Sequence, residues 1–266
     1  MRFHIITIFP DIFTSYLNES IVGRAIKNKI ISIKFYNPRD CVKRSKSNYK
    51  PVDSKPYGGG AGMVLQAEPI LKAFEKVEKK IKLANRGKGK KKVVIFSAKG
   101  KFFNQKMAYD WARKYEEIVF ITGRYEGIDE RVKIALRAEE ISIGPYVLTD
   151  GDVAAMVVSS AVVRLIPGVI RLESLKEESH FNLLLKKEKD GKVSKNGLEY
   201  PHYTRPEVLE YKGKKYRVPK VLLSGNHEKI EEWRKKKTIS LDKFSKCFLP
   251  RYLYFECPIY QSIISK

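Results

Sequence analysis

The run VVIFSAKGKFFNQKMAYDWARKYEEIVFIT, residues 93–122, decides the fold. Its ends, VVIFS (93–97) and IVFIT (118–122), are short, apolar and β-branched, as buried strands are. Between them NQKMAYDWARKY (104–115) spaces its apolar residues as a helix does. Two strands joined through a helix form a crossover unit, and crossovers connect parallel neighbours. The alternation continues outward on both sides. FHIITIF (3–9) and ISIKFY (31–36) read as strands with a helix from Asp11 to Lys27 between them, and EISI (140–143) is a further short strand. In AEPILKAFEKVEKKIKL (67–83), Ile70, Leu71, Phe74, Val77 and Ile81 fall at helical spacing with lysines and glutamates opposite, which predicts a surface helix with a buried stripe. DVAAMVVSSAVVRLI (152–166) is apolar almost all round and reads as a helix buried in a core or an interface. The expected class is α/β with a mostly parallel sheet.

Beyond Pro167 the texture changes. Residues 171–197, RLESLKEESHFNLLLKKEKDGKVSKNG, are charged and rich in turn formers near their end, which predicts an interdomain loop. From Leu198 onward the chain reads as a small separate domain in which HEKIEEWRKKK (227–237) is helical and basic. The expected organisation is therefore 1–170, a loop over 171–197, and 198–266. A lysine cluster, RGKGKKK (86–92), falls between a helix and a strand and reads as a solvated loop.

Composition narrows the function. The chain has 266 residues, 43% hydrophobic and 31% charged, with 53 Lys plus Arg against 30 Asp plus Glu. A net charge of +23 repels itself unless a polyanion is the working partner, so nucleic acid is the first expectation and an anionic membrane the second. The three cysteines, Cys41, Cys247 and Cys257, form no CxxC pair, which argues against a disulfide framework and a zinc site and fits a reducing compartment. The opening MRFHIITIFP is interrupted by Pro10 and Asp11 too early for a signal peptide, and no apolar run approaches the ~20 residues that span a bilayer. The expectation is a cytoplasmic protein.

Open parallel sheets bind ligands outside the carboxyl ends of their strands. The strands named above run into SAKG (97–100), TGRYEGIDER (122–131) and IGPYVLTDGD (143–152), small-residue turns whose backbone groups suit an adenine and a ribose. None contains GxGxxG, so a Rossmann dinucleotide site is not expected. KPYGGGAGM (55–63) holds four glycines in six positions, yet Met63 and Val64 stand where a phosphate-binding P-loop needs Lys and Ser or Thr. Glycines there permit left-handed backbone or a close approach by a ligand.

These strings together resemble one family, the bacterial tRNA (guanine-N1) methyltransferases of TrmD type. The resemblance runs nearly end to end: IFPDIF, VGRAI and NPRD, then KPYGGGAGM, GRYEGIDER, SIGPYVL, RLIPGV, YPHYTRPEVLE and VPKVLLSGNHEKIEEWR. It implies an α/β fold of SPOUT type whose parallel sheet carries a deep trefoil knot, a small mainly helical C-terminal domain, and a homodimer. It implies S-adenosylmethionine as cofactor, held among Phe96, Ser97 and Ala98, then Gly123 with Glu126, then Ile143, Gly144, Pro145, Tyr146, Val147 and Leu148 with Gly151. Tyr57, Gly58, Gly59 and Gly60 would lie over the target guanine, which is flipped from its stack. His202, Tyr203, Arg205, Asn226 and His227 would clamp the tRNA anticodon arm. A Mg²⁺ requirement stays open.

The implied reaction dictates residue types. Guanine N1 carries a proton at neutral pH, so a base must remove it while negative charge grows on O6, and a cation must meet that charge. The family's cation is matched by Arg164; an arginine ending an apolar helix also neutralises a helix C-terminus. The family's Asp-Ser-Phe aligns without a gap on Ser179, His180 and Phe181, and serine is no base at neutral pH. One inserted residue brings Glu178 into the base position, and His180, titrating near neutrality, is the other candidate. Ala98, Pro145, Asp150 and Ala154 also depart from the family pattern. The missing aspartate motivates an alternative reading, an RNA-binding protein of the same fold with lost catalysis.

Overall fold

A computed structural model describes residues 1–43, 50–85, 89–171 and 200–237, and the chain divides at Arg171 and Leu172 into two compact units. In the first unit the order is β1 (Arg2–Ile6), α1 (Thr14–Leu17), α2 (Ser20–Lys27), β2 (Ser32–Tyr36), β3 (Asp53–Ser54), β4 (Val64–Leu65), α3 (Ala67–Asn85), β5 (Lys91–Phe102), α4 (Gln105–Lys114), β6 (Glu117–Ile121), α5 (Glu130–Leu136), β7 (Glu139–Ser142) and α6 (Gly151–Val163). Five strands form one sheet in the order β2-β1-β6-β5-β7, and every neighbouring pair is parallel. All the carboxyl ends therefore face one way.

The alternating side chains of the central strands build two cores, one on each face of the sheet. Phe3, Ile5, Ile118 and Phe120 pack with Val22, Ala25, Ala108, Trp111 and the inner side of α6. Ile6, Val119 and Ile121 meet Ile70, Ala73, Phe74, Val77 and Ile81 of α3, the stripe its sequence spacing predicts. A buried polar chain crosses the amino ends of the strands. Arg2 donates to Glu117 Oε1 (2.6 Å), His4 Nε2 lies 2.9 Å from Glu117 Oε2, and Tyr36 Oη lies 3.0 Å from His4 Nδ1. Burial lowers the His4 pKa. Burial pushes Glu117 up, but its bonds to Arg2 and His4 outweigh this and hold it below the usual range.

Several sequence expectations change. The helix expected over Asp11–Lys27 is broken: a 3-10 turn (Pro10–Phe13) and α1 precede α2, with Glu19 extended and Ser20 at φ +52°. Strand β1 ends at Ile6 rather than Phe9, and Thr7 closes it by bonding Tyr36. Strand β5 does not stop at Ser97. It bulges over Ser97–Gly100 and returns to β7, so that Phe96 and Lys101 both pair with Ile141. Lys91 and Lys92, expected in a loop, start β5 and pair with Glu78 and Glu139. Helix α6 buries Ala154, Ala155, Val158, Val162 and Val163, but Val153 and Val157 are 39% and 45% exposed on its outer side.

In the second unit the described residues form a hairpin, β8 (Val208–Tyr211) and β9 (Lys214–Arg217), then α7 (Lys220–Leu223) and α8 (His227–Lys237). The hairpin was not expected from a mainly helical reading. Its two-residue turn, Lys212 (φ +48°) and Gly213 (φ +72°), has the doubly left-handed form that matches strand twist. Asn226 caps α8 by accepting from Lys229 N (3.0 Å).

Candidate functional site

The β5 bulge, the turn after β6 and the turn after β7 meet at the carboxyl edge of the sheet around a cavity of about 460 Å³. That is ordinary room for a cofactor-sized ligand. Two of the turns are pressed together: Gly151 N donates to Gly123 O at 2.9 Å, and a Cβ on Gly151 would stand 2.9 Å from Gly123 N. Any side chain at 151 would push the turns apart. Gly144 makes room for the Tyr146 ring, which folds back to within 2.2 Å of where a Cβ at 144 would stand and donates from its hydroxyl to Ile143 O (3.1 Å); a side chain at 144 would displace this exposed ring.

The turns are fixed from beneath by charge. Asp150 caps α6 through Asp152 N (2.9 Å) and Val153 N (3.2 Å). Arg124, on the neighbouring turn, donates to Asp150 (3.4 Å) and to the fully buried Asp152 (3.2 Å), and its guanidinium sits 4.3 Å from the centre of the Phe9 ring. Thr7 completes the cluster by donating to Asp152 at 2.8 Å. Arg124 and Asp152 were missed as site residues although both fall inside the turn strings. Their signal is spatial: one turn supplies the cation of this lock and the other its two acids.

The cavity is lined by Phe96, Ser97, Ala98, Gly123, Glu126, Ile143, Gly144, Tyr146, Val147, Leu148 and Gly151, every expected cofactor residue except Pro145. Pro145 is exposed and outside the lining. Five carboxylates (Glu126, Asp129, Glu130, Glu140, Asp150) face three cations (Lys99, Arg124, Lys133) in this wall, an acidic excess within a chain of net charge +23. Lys99 and Lys133 both pair with Glu130 and Glu140, which ties the rim of the bulge to α5 and β7.

The glycine stretch runs beside a turn that lines this cavity. Met63 O accepts from Glu126 N (3.0 Å), Leu65 N donates to Gly127 O (3.0 Å), and Asp129 N donates to Leu65 O (3.0 Å), so the stretch is stitched along the Arg124–Asp129 turn. A Cβ on Gly62 would stand 2.6 Å from the Glu126 carboxylate. Gly58, Gly59 and Gly60 serve differently: their φ angles are +84°, +83° and +118°, with nothing in van der Waals reach of a Cβ at 58 or 59. Tyr57 beside them is fully exposed.

Arg164 is not brought to this cavity. It caps the C-terminus of α6 and lines a second cavity of about 490 Å³ with Tyr16, Glu19, Ser160 and Ile170. Ala154 lines the first cavity, and ten residues of helix at ~1.5 Å each separate the two positions by roughly 15 Å. Glu178 and His180 lie outside the described residues. In the second unit His202, Tyr203, Arg205, Asn226 and His227 are all exposed; the Tyr200 and His202 rings lie 4.7 Å apart and those of Tyr203 and Trp233 6.2 Å apart. Among the described residues no group of three His, Cys, Asp or Glu side chains is placed to hold a metal, and no helix is long and apolar enough to cross a membrane.

Comparison with known proteins agrees with this geometry. The family model described as tRNA (Guanine-1)-methyltransferase TrmD matches residues 1–248. A tRNA (guanine-N(1)-)-methyltransferase of Clostridioides difficile is 44% identical over 243 residues, 91% of this chain and 94% of the relative. One from Thermomicrobium roseum is 46% identical over 235 residues, 88% of this chain and 78% of the relative. With the family strings in order, the glycine stretch bonded to the GRYEGIDER turn, and a match across nearly the whole length, the chain belongs to the TrmD family of tRNA (guanine-1)-methyltransferases.

Proposed function

We propose that the protein transfers a methyl group from S-adenosylmethionine to N1 of the guanine immediately 3′ of the anticodon (position 37) in tRNA, as a cytoplasmic homodimer of SPOUT type. The observation that carries this reading is the cavity in which three strand-end turns converge with an acidic excess inside a strongly basic chain. S-adenosylmethionine supplies an electrophilic methyl on a sulfonium cation when bound, and a wall with more carboxylates than cations favours a cation. Backbone of the Ile143–Leu148 turn and of Gly123 would hold the adenine and ribose. Glu126 is the carboxylate poised between this cavity and the glycine stretch. The knot of the SPOUT type is proposed through the family and not through the contact of Gly151 on Gly123.

Guanine would enter over Gly58–Gly60, whose open, left-handed backbone leaves room for a flipped base and its phosphates. Glu178, or His180, would take the N1 proton, and Arg164 would meet the charge growing on O6. A well-placed base contributes about 10² to 10⁴ in rate. The ~15 Å between Arg164 and the cavity within one chain favours composite sites, in which one protomer holds cofactor and glycine stretch and its partner brings Arg164. The exposed Val153 and Val157 on α6 fit such a contact between copies.

Single-turnover methyl transfer to unmodified tRNA transcripts tests this. Incorporation should vanish when the guanine 3′ of the anticodon is replaced; incorporation that survives would refute the substrate assignment. Glu178→Gln should lower the single-turnover rate about 10²- to 10⁴-fold with cofactor and tRNA binding kept, whereas a loss carried by His180→Ala, with a rate rising through the imidazole's titration, makes His180 the base. Mixing Arg164→Ala chains with chains altered over Gly58–Gly62 should restore part of the activity, and complete failure with folding intact would argue for self-contained sites.

A further inference from the structure

The hairpin β8–β9 holds surface that neither the cofactor cavity nor the expected anticodon-arm residues use. Its register pairs Leu209 with Tyr216 and Tyr211 with Lys214. Alternation along each strand then puts Leu209, Tyr211, Lys214 and Tyr216 on one face and Val208, Glu210, Lys215 and Arg217 on the other. The first face is open: Leu209 is 54% exposed, Tyr211 58% and Tyr216 53%. An aromatic pair left in water on a two-stranded ribbon is unusual, because aromatic rings normally supply the burial that a hairpin needs. Among the described residues, no ring packs on either tyrosine; the recorded neighbour is the Lys212 ammonium, 5.4 Å from the Tyr211 ring centre.

The charge around these rings decides what they would accept. Residues 208–217 carry Lys212, Lys214, Lys215 and Arg217 against the single acid Glu210. A protein partner seated on the tyrosines would have to desolvate Lys214 on the same face and Lys212 in the turn beside it. An RNA strand would not, since its phosphates meet the cations while its unpaired bases meet the rings. Tyr211 and Tyr216 are diagonal cross-strand neighbours, which places them roughly 7–8 Å apart. Aromatic side chains can meet across that spacing, but these two rings do not, which leaves a separate π-face for each of two bases.

We infer that this face is a stacking platform for unpaired nucleotides of the tRNA, with Lys214 on the same face and Lys212 in the adjoining turn holding the neighbouring phosphates. The inference rests on the tRNA reading above and adds to it an element and residues that the anticodon-arm assignment left out. Stacking on an aromatic ring is sequence-tolerant and only weakly dependent on salt, whereas the phosphate contacts release counterions. The two kinds of contact should therefore separate in a salt titration.

The test uses the full chain and an unmodified tRNA transcript. Tyr211→Ala and Tyr216→Ala should each weaken tRNA binding by about 5- to 150-fold with the salt slope unchanged, and Tyr211→Phe and Tyr216→Phe should bind like the wild type. Lys212→Ala or Lys214→Ala should lower the salt slope by about one. S-adenosylmethionine affinity and thermal midpoint should stay put in all of them. Tyrosine-to-alanine chains that bind tRNA as the wild type does, phenylalanine chains that lose as much as alanine chains, or a change of oligomeric state with tRNA affinity intact would each overturn the platform. The wild-type chain separates the two levels. If it binds and methylates the transcript while the tyrosine variants do so equally well, the hairpin assignment alone falls; if it does not bind the transcript, the substrate reading falls and takes the hairpin with it.

Discussion

In the α/β unit Phe3, Ile118, Phe120 and Glu117 have no accessible surface; between Tyr200 and Lys237 no residue is buried. The first region is held by what it hides, with two apolar layers against a parallel sheet. The second displays aromatic rings and cations together, with local pairs such as Arg234 over Tyr200 (4.8 Å) as its visible ties. A region of the first kind supplies fixed geometry to which a flexible substrate can be brought.

The largest expected effect lies in the exposed region. Binding of tRNA that uses six to ten phosphate contacts should lose about 10³- to 10⁵-fold in affinity between 50 and 200 mM salt. A flat titration would break the comparison by showing that the basic surface is idle.

A smaller effect should confine itself to the buried region. Glu117→Gln keeps one acceptor oxygen but removes the negative charge that Arg2 and His4 share, at a cost of about 3 kcal/mol in chemical denaturation, the low end for a broken buried pair because Arg2 stays partly in water. The pH dependence follows the same network. Both His4 and Glu117 have pKa values lowered by folding, so the unfolded chain binds more protons and stability falls as pH drops. The decline begins below about 6.5 through His4 and continues below about 4.5 through Glu117. Stability that is level from pH 7 to 4 would remove the network's energetic role.

Smaller again is Gly100→Ala. A Cβ there would stand 2.6 Å from Ile141 N, where β5 rejoins β7, and overpacking against backbone costs about 1–3 kcal/mol. Lys235→Ala, which loses only a surface pair with Glu231, should stay within about 0.5 kcal/mol. Equal destabilisation by these two would blur the distinction between the regions.

Legibility in the sequence followed the same divide. Strands β1 and β6 were readable because burial on both faces leaves short apolar runs, the half-buried β2 and β7 because apolar residues still punctuate them, and α3 because one buried stripe leaves a helical period. The α1–α2 break was not, since it depends on Ser20 adopting φ +52°, a conformation that serine does not advertise. The bulge at Ser97–Gly100 was read as a loop because sequence carries no sign that a strand resumes after it. The hairpin was missed because Lys212 stands where asparagine or aspartate would signal its turn. In the site, the cofactor turns were legible as strings, whereas the Arg124–Asp152 lock and the distance from Arg164 to the cavity are three-dimensional. The base candidates Glu178 and His180 fall outside the described residues, so the reading there still rests on alignment.

The bonds from Met63 and Leu65 to Glu126, Gly127 and Asp129, with Gly62 laid on the Glu126 side chain, have a consequence for how such a protein can change. Two stretches some sixty positions apart in the chain form one surface, so neither is free to drift alone. A side chain at 62 would strain its own left-handed backbone (φ +78°) and displace the Glu126 side chain, and shifting the 124–129 backbone would break the bonds to Met63 and Leu65. Grafting only the glycine segment from a distant relative should therefore give a folded but poorly active hybrid, and exchanging both segments together should recover it. The heritable module here is a contact and not a contiguous length of chain.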